Sequence, residues 1–222
     1  MSIAQFIDHT LLKPSATLAD IEKTCNESIE NGFAAVCIPP YFVKDARQIL
    51  GKKKPKLATV IGFPFGYSHY SAKLAEIDEA ITEGADEIDI VMNIAAFKSN
   101  DLAYLETEID SLTRLAKEKN LLVKLIIETG ILTNEEIIRC CDLYQHFPVD
   151  FLKTSTGYAE RGASVETVQL MRKHLPASIR IKASGGIRNF EFAKQLIEAG
   201  ATRLGCSASL AIVKGEEGEG GY

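Results

Sequence analysis

Residues 149–206 read VDFLKTSTGYAERGASVETVQLMRKHLPASIRIKASGGIRNFEFAKQLIEAGATRLGC, and their alternation decides the fold. VDFLK (149–153), IRIKAS (179–184) and TRLGC (202–206) are short apolar runs bounded by turn residues, as buried strands are. Between them lie stretches of helical spacing, one starting at Ser164 before Val165 and one running from Asn189 to Glu198 with Gly200 behind it. Strand, helix, strand, helix, strand is the mark of parallel pairing, because successive strands run parallel only if a crossover carries the chain back to its starting end.

The unit recurs toward the N-terminus. FIDHTLL (6–12), AAVCIP (34–39), KLATVIGF (56–63), EIDIVM (87–92) and LLVKLIIE (121–128) are further candidate strands. Apolar stripes separate them, Leu74, Ile77 and Ile81 in one helix and Leu102, Leu105, Ile109, Leu112 and Ala116 in another, which read as core faces. Thr17 before Leu18, and Thr133 with Glu136 in capping-box spacing, mark helix starts, while Gly32 and Gly84 close helices. About eight such units predict a single (β/α)8 TIM barrel of parallel strands over residues 1–214, below the roughly 250 residues usual for that fold, with no second domain. An open doubly wound sheet is the alternative, weakened by the lack of a GxGxxG after the first strands. GEEGEGGY, residues 215–222, is too polar and glycine-rich to pack and is expected to be a flexible tail.

Composition excludes several classes. With 46% hydrophobic and 25% charged residues the chain can bury a core and is not disordered. Twenty-five Lys and Arg against 30 Asp and Glu, a net charge of -5, argue against nucleic-acid or anionic-membrane partners but leave room for a small anionic ligand. The basic run Lys52, Lys53, Lys54 and Lys56 around Pro55 reads as a solvated loop. The chain has no apolar run of membrane-spanning length, and its first residues lack the basic start and apolar block of a signal peptide, so a cytoplasmic protein is expected. Five cysteines without CxxC and four scattered histidines without HExxH give neither a disulfide framework nor a metal site; no metal and no cofactor are expected.

In parallel α/β folds ligands bind beyond the carboxyl ends of the strands. Asp8, Cys37, Asp89, Glu128, Lys153 and Lys182 lie at or near those ends. Side chains alternate along a strand, so Glu87 with Asp89, Lys124 with Glu128, and Arg180 with Lys182 would each share a face, giving an interior of both signs. A lysine at a strand end is ordinarily solvated, but Lys153 follows Phe151-Leu152 and Lys182 follows Ile181 in buried runs, where an ammonium is costly unless paired or deprotonated. A lysine near another cation in a dry pocket is pushed toward the neutral amine, a nucleophile for carbonyl carbon. Asp89 is placed either to carry protons for such chemistry or to serve only as a counter-ion; Asp8 and Glu128 read as network or hydroxyl contacts. The turns Ser184-Gly185-Gly186-Ile187 and Gly205-Cys206-Ser207-Ala208-Ser209 read either as anion cradles of exposed amides or as ordinary left-handed turns, with Thr154, Ser155 and Thr156 adding hydroxyls.

DHTLLKP (8–14), GADEIDIVMN (84–93), KLIIETGIL (124–132), DFLKTSTGY (150–158), IKASGGIR (181–188) and RLGCSAS (203–209) occur in order across nearly the whole chain. Together they resemble the deoxyribose-phosphate aldolase family of Schiff-base aldolases. The resemblance implies a (β/α)8 barrel that cleaves 2-deoxy-D-ribose 5-phosphate to D-glyceraldehyde 3-phosphate and acetaldehyde without a metal. It implies Lys153 as the Schiff-base lysine, Lys182 as the second lysine that perturbs it and Asp89 as the acid/base. It further implies Gly185, Gly186 and Ser207 as phosphate contacts, Asp8 and Cys37 as residues lining the site and Tyr222 as a possible tail contribution over it; Thr156, whose hydroxyl follows Lys153, is a further expected substrate contact. Two positions depart from the family pattern: Tyr158 stands where some members carry a phosphate-reaching lysine, and Ala208 follows Ser207 where a second serine is common. Rival readings are another Schiff-base aldolase or transaldolase, a phosphosugar isomerase, and a catalytically silent phosphate-binding barrel. A homodimer is expected, since barrels of this size often pair.

Overall fold

The computed structural model describes residues 2–218. Its strands are β1 (Ile7–Thr10), β2 (Ala35–Ile38), β3 (Lys56–Ile61), β4 (Glu87–Val91), β5 (Leu122–Ile126), β6 (Phe151–Lys153), β7 (Arg180–Ser184) and β8 (Arg203–Cys206). The helices are α1 (Leu18–Asn31), α2 (Val43–Leu50), α3 (Tyr70–Glu83), α4 (Ile94–Lys98), α5 (Leu102–Glu118), α6 (Asn134–Tyr144), α7 (Val165–His174), α8 (Phe190–Glu198) and α9 (Ser209–Lys214). All neighbouring strands are parallel, and the sheet closes, β1 pairing with β8 through Ile7 with Leu204, Asp8 with Gly205 and His9 with Cys206. Closure is what separates the barrel from the open sheet, and it follows from this last pairing.

Local chemistry explains where the helices begin. Thr17 accepts from the Asp20 amide and Thr133 from the Glu136 amide, each in a complete capping box, and Ser164 accepts from the Thr167 amide. The stripe on α5 differs at one end from its sequence reading: Leu102 is exposed, because Asp101 caps the helix and Leu102 is its first residue. The inward face starts at Leu105. Lys52, Lys53 and Lys54 are exposed in the turn before β3, as a solvated loop should be. At the C-terminus the Glu216 amide donates to the Ala211 carbonyl and the Gly218 amide to the Arg188 carbonyl, so the chain is seated on the barrel as far as Gly218. Residues 219–222, including Tyr222, lie outside the described residues.

Strand alternation produces two different cores. Outward residues such as Ile88, Ile90, Val123, Leu125, Leu152, Ile181 and Leu204 pack against the helices in a continuous apolar cluster. Inside the barrel, Ala35, Cys37, Ala58 and Val60 form a small apolar wall on β2 and β3. The opposite wall is charged. At the floor, the Arg180 guanidinium lies 4.0 Å from the centre of the Phe151 ring. Parallel register then steps the charged side chains around the interior: Asp89 pairs with Lys124, Lys153 with Lys182, and Lys182 with Arg203.

Candidate active site

Asp89, on β4, is the hub. Its Oδ2 accepts from Lys153 Nζ at 2.7 Å and from Lys182 Nζ at 2.7 Å, while its Oδ1 accepts from Lys124 Nζ at 2.8 Å. Lys124 also reaches Glu87 at 2.6 Å, and Lys182 also bonds Asp8. Arg203 closes the ring, 2.6 Å from Asp8 and 3.2 Å from Glu87. All of these groups except the partly buried Arg203 are buried, yet each carboxylate has a cationic partner, which is what lets such a network persist out of water.

The count of charges decides the state of one member. Three carboxylates (Asp8, Glu87, Asp89) face four basic side chains (Lys124, Lys153, Lys182, Arg203), leaving one cation in excess. Burial opposes charge on Lys182, but Asp8 and Asp89 outweigh it and hold its ammonium well above the usual lysine range. Burial likewise opposes charge on Lys124, where Asp89 and Glu87 prevail and raise its pKa. Lys153 is the exception. Burial, reinforced by the charge of Lys182, outweighs Asp89 and lowers its pKa below the ordinary lysine value. Lys153 is also the interior lysine with a trace of exposure, 3% against 0% for Lys124 and Lys182, so the amine that most readily loses its proton is the one a solute meets.

The carboxylates are held ionised. Burial raises Asp89, but Lys124, Lys153 and Lys182 together drive it well below the usual carboxylate range. Burial raises Asp8 too, and Lys182, Arg203 and Lys124 bring it down to about 2. Cys37 faces the same interior, where burial pushes its thiol up to about 11, so it is a neutral wall rather than a nucleophile. Among the described residues no group of three or more His, Cys, Asp and Glu side chains is placed to hold a metal ion.

Above the network lie the two glycine turns and the segment after Lys153. Gly185 and Gly186 adopt φ 88° and 77°, a left-handed pair open to glycine at little cost. A side chain at Gly185 would meet the Gly162 and Gly157 backbones at 3.0 and 3.6 Å, so three glycines make one bare backbone surface. Asn189 caps α8 by accepting from the Phe192 amide, whereas α9 starts at the end of the β8 turn without a side-chain cap, beside the exposed Ser207. Thr156, read as a substrate contact, has its hydroxyl donating to Glu128 and accepting from the Tyr158 amide at 3.1 Å. Tyr158 extends across the mouth, its hydroxyl donating to the Leu12 carbonyl at 3.0 Å and its ring edge-on to Phe63.

Lys124 and Arg203 were not singled out as site residues from sequence, although both are central to the charge balance. Period-two alternation could have found them, since each stands on an inward position beside a flagged residue, Lys124 opposite Asp89 and Arg203 opposite Lys182. Glu128 does not share a face with Lys124, because β5 ends at Ile126 and Glu128 turns left-handed. Arg180 sits at the exposed start of β7, below the network.

A buried lysine of lowered pKa beside an ionised aspartate, under a glycine-lined mouth, equips a barrel for imine chemistry on a carbonyl compound. The family model described as DeoC/LacD family aldolase matches residues 2–215. The chain belongs to this aldolase family. It is therefore a lyase, and its relatives agree over nearly their whole lengths. The deoxyribose-phosphate aldolase of Thermococcus gammatolerans is 49% identical over 217 residues, 97% of this chain and 96% of that protein. That of Streptococcus gordonii is 47% identical over 222 residues, covering 100% of both. Among solved structures, the family barrel superposes on QR15, an aldolase, with TM-score 0.91 at 40% identity, covering 96% of this chain and 94% of the other. It superposes on the deoxyribose phosphate aldolase of Aeropyrum pernix, described as a unique tetramer, with TM-score 0.89 at 30% identity, over 96% and 89%.

Proposed function

We propose that this chain cleaves 2-deoxy-D-ribose 5-phosphate reversibly to D-glyceraldehyde 3-phosphate and acetaldehyde through an imine on Lys153, in the breakdown of deoxyribose phosphates. The observation that carries the reading is the surplus basic group: four basic side chains face Asp8, Glu87 and Asp89, Lys153 must share one Asp89 oxygen with Lys182, and of the three lysines it is the one whose pKa is lowered toward the neutral amine.

Neutral Lys153 Nζ attacks the aldehyde carbon of the open-chain sugar, and the carbinolamine loses water to leave an iminium. A base takes the proton of the C3 hydroxyl, the C2–C3 electron pair moves into the iminium, and glyceraldehyde 3-phosphate departs from an enamine. Asp89 and Lys182, directly or through one water, move this proton and return one to the enamine carbon; hydrolysis of the resulting iminium frees acetaldehyde and restores the lysine. Asp8 holds Lys182 in place, and Cys37 supplies part of the apolar wall. The phosphate is assigned to the amides of Gly185 and Gly186 and to Ser207, since a chain of net charge -5 with Tyr158 at the mouth offers few cations there. Tyr222 is assigned an auxiliary part, delivered by the tail that follows the 1–214 barrel.

The site would work in the cytoplasm as a homodimer. All five cysteines are buried and unpaired, in keeping with a reducing compartment, and among the described residues no helix is long and apolar enough to cross a membrane. Light scattering on the purified protein checks the dimer; a monomer or tetramer contradicts it. Release of acetaldehyde from 2-deoxyribose 5-phosphate by the purified protein tests the reaction. Cleavage of a longer sugar phosphate without acetaldehyde would point to a transaldolase-like activity instead.

A further inference from the structure

The steps above leave Glu128 without a part, although the chain goes to some trouble to place it. Its backbone is left-handed, φ 53° and ψ 61°, a conformation that strains a residue carrying a Cβ. The turn is fixed on both sides of it, by the Ile127 amide on the Lys153 carbonyl at 3.1 Å and the Thr129 amide on the Thr154 carbonyl at 2.8 Å. The residue is 4% exposed, and its carboxylate faces Thr156 just beyond the end of β6. There it accepts from the Thr156 amide at 3.2 Å and from the Thr156 hydroxyl. The Thr156 hydroxyl in turn accepts from the Tyr158 amide, and Tyr158 is anchored across the mouth on Leu12. Gly157, between these two, lies against the Gly185 turn. One carboxylate thus ties together the chain leaving Lys153, the bare glycine surface and the ring that spans the mouth.

We propose that Glu128 is a positioning residue for the reaction, clamping Thr156 so that residues 154–158 are held in register with the Gly185–Gly186 turn and the far rim of the barrel. Glu128 has no hydrogen bond to Lys153, although the two groups interact electrostatically, and its hydrogen bonds go to Thr156, through which it reaches Tyr158. Its effect falls on the distal end of a long substrate, and a two-carbon aldehyde at Lys153 does not depend on it. The inference rests on the aldolase reading above, and the two can fail separately.

The test compares a long and a short carbonyl substrate. Both Thr156 donors converge on one Glu128 oxygen, Oε2, which a Gln amide oxygen could replace, so the informative variant is Glu128→Met, which keeps the length and offers no acceptor oxygen. It should raise KM for 2-deoxyribose 5-phosphate about tenfold while lowering kcat less than about threefold, the pattern of lost binding rather than lost chemistry. Borohydride trapping of acetaldehyde on Lys153 should keep its rate. Thr156→Val should reproduce the KM effect, Thr156→Ser, which retains both donors, should recover most of it, and the Glu128→Met/Thr156→Val double variant should be no worse than the worse single one. Should Glu128→Met not fold, the Val and Ser pair at Thr156 carries the same comparison. The clamp is refuted by an unchanged KM, by strictly additive effects, or by equal loss of sugar-phosphate turnover and acetaldehyde trapping in a folded variant. A wild type that traps acetaldehyde but leaves the sugar phosphate uncleaved would refute the aldolase reading and the clamp with it; failure of the clamp alone shows only in the variants.

Discussion

Replacing Lys182 by Met should turn Lys153 from a neutral amine into an ammonium. Both amines lie 2.7 Å from the same Asp89 oxygen. Charges about 5 Å apart, at an effective dielectric constant near 20, interact by roughly 3 kcal/mol, about a hundredfold in proton affinity. The ionic balance points the same way. Without Lys182, three carboxylates face Lys124, Arg203 and Lys153, and Lys153 becomes the third counter-ion. The assay is the rate of borohydride-trapped imine from acetaldehyde as a function of pH, which reads nucleophile formation apart from later proton transfers. At neutral pH the rate should fall about a hundredfold, the acid limb should move up by about two pH units, and alkali should restore the rate. A limb that stays in place, or moves to lower pH, would refute the charge-balance argument. A loss that alkali does not restore would mean that Lys182 is needed for something other than the state of Lys153.

Four other outcomes follow from the same geometry. Asp89→Asn removes the acceptor shared by three lysine side chains and should cost about 3–5 kcal/mol in denaturant unfolding, while the acid limb of imine trapping moves to lower pH, opposite to Lys182→Met. Asp8, held at about 2 when folded and near 4 when unfolded, adds stability in full above pH 4 and loses it as the pH falls toward 2; melting of Asp8→Asn should therefore vary less across that window than the wild type. The buried Lys73–Glu108 pair, 2.8 Å apart between α3 and α5, lies outside the barrel, so Lys73→Met should destabilise by about 3–5 kcal/mol with little change in kcat, and adding Glu108→Gln should recover part of the loss. Gly162→Ala would set a methyl 2.2 Å from the Gly185 carbonyl oxygen, so KM for the sugar phosphate should rise while acetaldehyde trapping is spared.

The fold was legible because every unit repeats the same physical signal, a short buried strand followed by a striped, capped helix. The capping boxes at Thr17 and Thr133 and the glycine stops at Gly32 and Gly84 are local chemistry that tertiary contacts reinforce rather than override. Closure was not legible, since it depends on β1 meeting β8, a pairing between residues nearly two hundred positions apart that no window of sequence contains. At the site, Lys153, Lys182 and Asp89 stood out as charges inside apolar runs, and the structure brings all three to one carboxylate. Arg203 did not stand out, because TRLGC reads as a strand starting in solvent, and its role comes from a partner on the far side of the closed barrel. The bond between Thr156 and Glu128 was hidden for a related reason: a hydroxyl after a reactive lysine looks free until the left-handed turn at Glu128, invisible in sequence, brings a carboxylate to it.

The most direct test is to incubate the protein with 2-deoxyribose 5-phosphate, reduce with borohydride and map the adduct by peptide mass spectrometry. A stable adduct on the peptide carrying Lys153, absent in Lys153→Ala and not found on Lys124 or Lys182, is the expected result. An adduct on Lys182, or none in a protein that still cleaves the substrate, would contradict the assignment of Lys153 as the neutral amine.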